Sequence, residues 1–225
     1  MANRRWGVFM GRKVGFVLAI VLFLVGVGIL FVPMVSKNNT KIMQKTLTEK
    51  YENIVEENQN KKEMPTPEPQ NEKMDYTVAD FVEENSTDET KEIVERQQIV
   101  GMITCETIDV QYVVVEGANR DNIRAAIGHI SGTAAFGGEG NCVLAGHRGG
   151  YYGEFFKNIH KLSNGDEVIL TDIYNRVYTY VVYEQKVVEP EAVWICNPVS
   201  GKDTLTLLSC EDNGSRRRIV RCKLQ

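Results

Sequence analysis

The chain changes its hydrophobic pattern three times. From 14 to 35 it carries no charged residue. At about 1.5 Å per residue, a helix of that length spans the hydrocarbon core of a bilayer. Arg4, Arg5, Arg12 and Lys13 stand just before the run, so the positive-inside rule predicts a cytoplasmic N-terminus over 1–13 and everything after 35 outside. The run exceeds the apolar core of a secretion signal and no A-x-A-like site follows it, which favours an uncleaved anchor. The second region, 36–95, is rich in Asn, Lys, Glu, Gln and Thr, with Pro65, Pro67 and Pro69 alternating in its middle. Ile42, Leu47, Tyr51 and Ile54 fall roughly on one stripe and allow a helix over 41–57. Beyond it, 58–90 has too little apolar surface to order itself. The region as a whole reads as a largely disordered extracellular stalk.

From 96 onward short β-type runs are bounded by turn signals. Strands are predicted at 99–103, 110–115, 142–145, 167–171, 177–183, 203–210 and 217–223, with a short helix over 123–127 capped by Asp121 or Asn122 and a helical turn over 155–162. About eight short strands at such spacing predict a mainly β domain built as a closed or nearly closed barrel. No internal repeat is evident.

Composition narrows the chemistry. The formal net charge is −4, so no global basic balance points to nucleic acid. The five cysteines (Cys105, Cys142, Cys196, Cys210 and Cys222) are an odd number, which leaves at least one thiol over once any disulfides form. There is no C-x₂-C pair and the three histidines are dispersed, so no metal site is expected. Cys210 ends one apolar run, His147 follows another in Leu144-Ala145-Gly146-His147, and arginines open a third. If these strands lie side by side, their ends unite a nucleophile, an acid/base and a fixed positive charge. His129 and His160 are the rival imidazoles. Arg216 and Arg218 alternate with Arg217 and so face the other way; Arg221 shares the Arg217 face and is its main rival.

Thr206-Leu207-Leu208-Ser209-Cys210, Ala145-Gly146-His147 and Arg217-Arg218-Ile219-Val220 together resemble sortases, the cysteine transpeptidases of Gram-positive cell surfaces. Those segments match the family's T-L-x-T-C strand, A-G-H motif and R-x-apolar-apolar register. Ser209 stands where the family usually has Thr, and the gap from Cys210 to Arg217 is shorter than in most relatives. The resemblance covers roughly the last 130 residues and implies a sortase barrel of eight strands over 96–225. It implies Cys210 as nucleophile, His147 as acid/base, Arg217 as charge stabiliser, and Ser209 and Trp194 as substrate contacts. No cofactor is implied. The donor would carry an LPxTG-like motif cut after Thr, and the acceptor amine would come from a peptidoglycan precursor or a pilin lysine. The segment 189–202 would line the motif groove, and 149–153 would form a groove wall or a turn. Within the family the pattern is class D-like, with class C-like next. A cysteine protease passing its acyl group to water, or an inactive binding domain, are the competing functions.

Overall fold

The computed structural model describes residues 5–61, 93–149 and 153–225. Eight strands close into one barrel: β1 (Ile99–Cys105), β2 (Val110–Glu116), β3 (Ile127–His129), β4 (Asn141–Ala145), β5 (Glu167–Asp172), β6 (Val177–Val188), β7 (Thr204–Glu211) and β8 (Arg216–Leu224). Around the wall they run β1-β2-β3-β4-β7-β8-β6-β5, and β5 pairs back onto β1. Two pairings are parallel, β2 with β3 and β4 with β7; the others are antiparallel. The expected closed eight-stranded barrel is therefore present.

Alternation shapes the wall. β1 buries every second residue, and Ile103 and Cys105 point into the barrel with Leu144, Leu170, Leu205, Leu207 and Val220. β2 departs from this pattern, because Val113, Val114 and Val115 are all fully buried. A strand covered on both faces reads as a continuous apolar run. The second cover is α1 (Arg5–Asn60), which lays Met43, Leu47 and Tyr51 against Val113, Val115 and Ala125 in a satellite core.

The helix is tied down by polar contacts as well. Lys50 Nζ donates to the carbonyls of Val94 (3.3 Å), Glu95 (3.3 Å) and Gln97 (3.1 Å), which end a helical turn at 93–96. Asn58 Nδ2 donates to Ile173 O at 2.9 Å, and Gln44 Nε2 donates to Ala125 O.

Several expectations change. The helix allowed over 41–57 is part of α1, which runs through Asn60, and its stripe docks on the barrel through Leu47 and Tyr51, while Ile42 stays exposed. The apolar stripe is wide enough to bury against β2, a docking that the sequence did not suggest. The segment 62–92 lies outside the described residues, as do 1–4. The short helix is α2 (Arg120–Ala125), capped by the Asn119 side chain rather than by Asp121 or Asn122. Ile127, expected in that helix, opens β3 instead. β6 runs on to Val188, because its first half pairs with β5 and its second half with β8 across a register shift at Val182/Glu184. Only Ile159–Lys161 forms a 3-10 turn within the helical turn expected over 155–162. Among the described residues, no helix is long and apolar enough to cross a membrane. The expected anchor, 14–35, lies partly outside the residues whose side chains are described.

Truncating Leu47 tests whether the helix belongs to the folded domain. Leu47→Ala should cost about 2–5 kcal/mol, the usual range for a fully buried leucine, measured by denaturant unfolding of the full chain in detergent. A change within error would show that the helix contributes nothing to the fold.

Candidate active site

The parallel pairing of β4 and β7 builds the site. Ala145 lies beside Leu208, and Gly146 N donates to Leu208 O at 3.1 Å, extending the register by one residue. Leu144 and Leu207 point into the barrel. Alternation therefore turns Ala145 and Leu208 outward, Gly146 and Ser209 inward, and His147 and Cys210 outward again. On the other side of β7, the antiparallel register sets Cys210 directly opposite Arg217. Directly opposed residues project from the same face, so three strand ends deliver His147, Cys210 and Arg217 to one side of the wall.

Local packing explains the small residues before His147. A Cβ on Gly146 would come within 2.8 Å of the Phe156 ring, so only glycine admits that ring. Phe156 N in turn donates to His147 O at 2.8 Å and pins the backbone there. Ser209 Oγ is buried and donates to Gly146 O at 3.0 Å. Ser209 thus stitches β7 to the residue before His147 from the inner face. It does not face the cleft, which corrects its expected role as a substrate contact.

An open cleft of about 670 Å³ is lined by His147, Arg148, Gly149, Cys210, Glu211, Asp212 and Gly214. Arg217 Nη1 donates to Gly214 O at 2.7 Å and to Arg216 O at 3.1 Å, placing its guanidinium by a residue of the cleft rim. Arg221, the rival, lies four residues along β8, roughly 13 Å at 3.3 Å per strand residue. It is engaged there with the Trp194 ring (5.3 Å) and Glu184 (3.8 Å). Trp194 is half-exposed above Arg221 on a short turn, Val193–Cys196. Asn141 Nδ2 holds that turn by donating to Ile195 O at 2.8 Å. Trp194 is therefore placed over β8 and not among the residues lining the cleft.

The rival imidazoles lie elsewhere. His129 is buried, with Nδ1 2.7 Å from Glu116 Oε2 and Nε2 3.0 Å from Ala134 O. His160 Nδ1 meets Lys157 O at 3.1 Å on an exposed turn. Residues 150–152 of the expected groove wall fall outside the described residues.

Electrostatics distinguish the site from the rest of the barrel. Burial, and secondarily the Arg124 guanidinium on α2, push the His147 imidazole below its ordinary value. His147 is thus held neutral and ready to accept a proton near neutral pH. All five cysteines carry free thiols. Burial raises Cys105, Cys142, Cys196 and Cys222 above the ordinary thiol value, which keeps them protonated and inert. Glu211 follows Cys210 at the cleft, where Arg218 Nε (2.6 Å) and Arg148 Nη1 (2.5 Å) grip its two oxygens. Chiefly through Arg218, its carboxyl is pulled down to about 2. Sequence reading missed Glu211, Arg148 and Arg124. Glu211 had a signal in the strand parity it shares with Ser209, while Arg148 lies beyond the end of β4 and had none. Among the described residues, no group of three or more His, Cys, Asp or Glu side chains is placed to hold a metal ion.

A family model for the sortase domain matches residues 106–225. The chain belongs to the sortase family of cysteine transpeptidases. It is 28% identical to sortase A of Bacillus anthracis over 64% of this chain and 72% of that protein. It spans about half (51%) of the sortase A proteins of Streptococcus agalactiae and Listeria monocytogenes. Among solved structures, a Clostridium perfringens sortase D5 transpeptidase is 33% identical, with a TM-score of 0.53 over 63% of this chain and 89% of that one. A C. perfringens sortase C solved with the C-terminal cell wall sorting motif is 27% identical, with a TM-score of 0.53 over 57% of this chain and 71% of that one.

The depressed imidazole has a measurable consequence. The acid limb of kcat/KM reports the free enzyme's base, so it should lie below about 6.5, the ordinary imidazole value. Arg124→Met removes a like charge and should move that limb to higher pH. The same group also lowers stability in acid. Below the ordinary imidazole value the unfolded chain takes up a proton that folded His147 resists, so stability falls with pH until the depressed folded value is reached. A limb unmoved by Arg124→Met would show that Arg124 does not act on the catalytic imidazole.

Proposed function

We propose that this sortase transfers an acyl group from an LPxTG-like sorting motif to an amine through a thioester on Cys210. The observation that carries the reading is the single face on which the β4–β7 and β7–β8 registers set His147, Cys210 and Arg217. The Cys210 sulfur, as thiolate, attacks the motif's threonyl carbonyl. The C–N bond breaks, and His147, having taken the thiol proton, returns it to the departing amine. An incoming amine then attacks the thioester; its proton passes to His147, the C–S bond breaks and the thiolate is restored. Arg217 stabilises the oxyanion of both tetrahedral intermediates through the directed N–H donors and positive charge of its guanidinium.

The acceptor is an amine of the peptidoglycan precursor or a pilin lysine. The likeness to sortase D5, which extends over 89% of that chain, supports a class D-like assignment. Anchoring by 14–35 would hold the enzyme at the outer membrane surface as a single-pass protein. The exposed apolar side chains of Phe16, Leu18, Leu22, Phe23 and Leu24 support it, since such a surface is satisfied in lipid and not in water.

Intact-mass analysis with a set of LPxTG-like peptides tests the chemistry. The protein should gain the mass of the peptide minus its leaving group, Cys210→Ala should gain none, and an added amine should discharge the adduct. Discharge to acid alone at every amine concentration would make the chain a protease. Arg217→Ala should lower kcat by about 10²–10³, the usual effect of losing one oxyanion donor. Arg221→Ala should leave kcat within a few-fold of the native value. The opposite ranking would reassign the stabilising charge.

A further inference from the structure

Each proposed reactive residue is followed by a charged one: His147 by Arg148, Cys210 by Glu211 and Arg217 by Arg218. Glu211 and Arg218 follow Cys210 and Arg217 on β7 and β8, Arg148 follows the end of β4, and Arg148 and Glu211 border the cleft at this end of the barrel. There they meet. Glu211 uses one oxygen on Arg148 (2.5 Å) and the other on Arg218 (2.6 Å). The Glu211 side chain is 11% exposed and that of Arg218 22%, so their contact is partly shielded from the screening that weakens surface pairs, while Arg148, at 36%, is more open.

We propose that Arg148, Glu211 and Arg218 form an ionic clamp that positions His147, Cys210 and Arg217 for acyl transfer. The proposal rests on the transpeptidase reading above and adds three positioning residues to it.

Strand pairing reaches two of the three directly. β7 and β8 are paired across Cys210 and Arg217, but β4 ends at Ala145 and the last backbone bond to β7 is from Gly146. Beyond it, Phe156 pins the His147 carbonyl, and Arg148 is the next residue to reach β7 by an ion pair. The clamp therefore closes the gap just past the last backbone bond, where the imidazole has to be held. Its geometry is directional, because charge-assisted bonds from two guanidiniums occupy both carboxylate oxygens. A carboxyl held near 2 stays ionised at every pH at which the enzyme works. Ion triads of this kind add little net stability, so their effect is expected in placement more than in melting temperature.

The test uses the full chain with Glu211→Gln, Arg148→Met, Arg148→Lys and the double variant R148M/E211Q. Peptide-to-amine transfer, melting temperature and the rate of Cys210 alkylation by iodoacetamide, followed by peptide mass spectrometry, are read together. Glu211→Gln and Arg148→Met should each lower kcat, by up to about 10²-fold for a displacement near 1 Å, with KM within twofold. The double variant should be no worse than E211Q, and R148K should recover part of the loss. Alkylation should change far less than kcat, and no further than His147→Asn changes it, since the thiol itself is intact. Native kcat in E211Q, or a kcat loss matched by equal losses in alkylation and melting temperature, would overturn the clamp. If E211Q does not fold, the partly exposed Arg148 variants decide the matter by the same criteria.

A native chain that transfers no peptide would count against the transpeptidase reading instead. The clamp is then judged on alkylation alone. His147→Asn should change the Cys210 rate in the native background and not in E211Q, and an equal change in both backgrounds would overturn it.

Discussion

The parallel pairing of β4 with β7 is the constraint on which the site depends. It is short, five residue pairs from Asn141/Thr204 to Ala145/Leu208, yet it decides which side chains face the cleft. A slip of one residue would exchange the two faces of β7. Cys210 would turn inward beneath the apolar core and Glu211 would replace it outside. Two devices oppose such a slip. The barrel is closed, so β7 is locked between β4 and β8 and has no free edge along which to shift. The Asn141 carboxamide also accepts from Thr204 Oγ1 (3.0 Å) and Thr206 Oγ1 (2.8 Å), which marks the register at the far end of the pair.

Charge at the site is paired rather than left free. His147, Cys210 and Arg217 share one side of the wall; the carboxylate nearest in sequence, Glu211, borders the same cleft and is held between two arginines. The imidazole is tuned differently, by desolvation first and by Arg124 second. Arg124 lies on α2, outside the strands that carry the nucleophile.

What was legible in the sequence follows from period and length. β1 and β5 alternate cleanly and were read to within two residues. β3 was missed because Ile127, Gly128 and His129 are all buried and three residues carry no period. The end of β6 was missed because Glu184 and Lys186 break its apolar run, although their partners on β8 keep the strand going. Cys210, His147 and Arg217 were legible as motif residues, while the contact partners of Ser209 were not. A buried serine hydroxyl and a groove-facing one look alike until the strand beside them is known. The Arg148–Glu211–Arg218 cluster is a stronger case of the same limit. Its members lie on two strands and on the segment following a third, so nothing local in the chain announces it.

The docked helix alters how the N-terminal part of the chain should be understood. A disordered stalk would leave the barrel free to tumble at the end of a tether. A continuous helix from Arg5 to Asn60 that buries Leu47 and Tyr51 on the barrel fixes the orientation of the catalytic domain along the helix axis. Its contacts also lie close to the site. Gln44 bonds the carbonyl of Ala125, the residue after Arg124, and a Cβ on Gly153, in the loop that follows His147, would lie 3.0 Å from Thr40. One end of α2 therefore rests on the helix while its Arg124 acts on the imidazole. If 14–35 is embedded in a membrane, the element that meets the lipid and the element that tunes the base are in direct contact, and the height of the cleft above the bilayer is set by helix length.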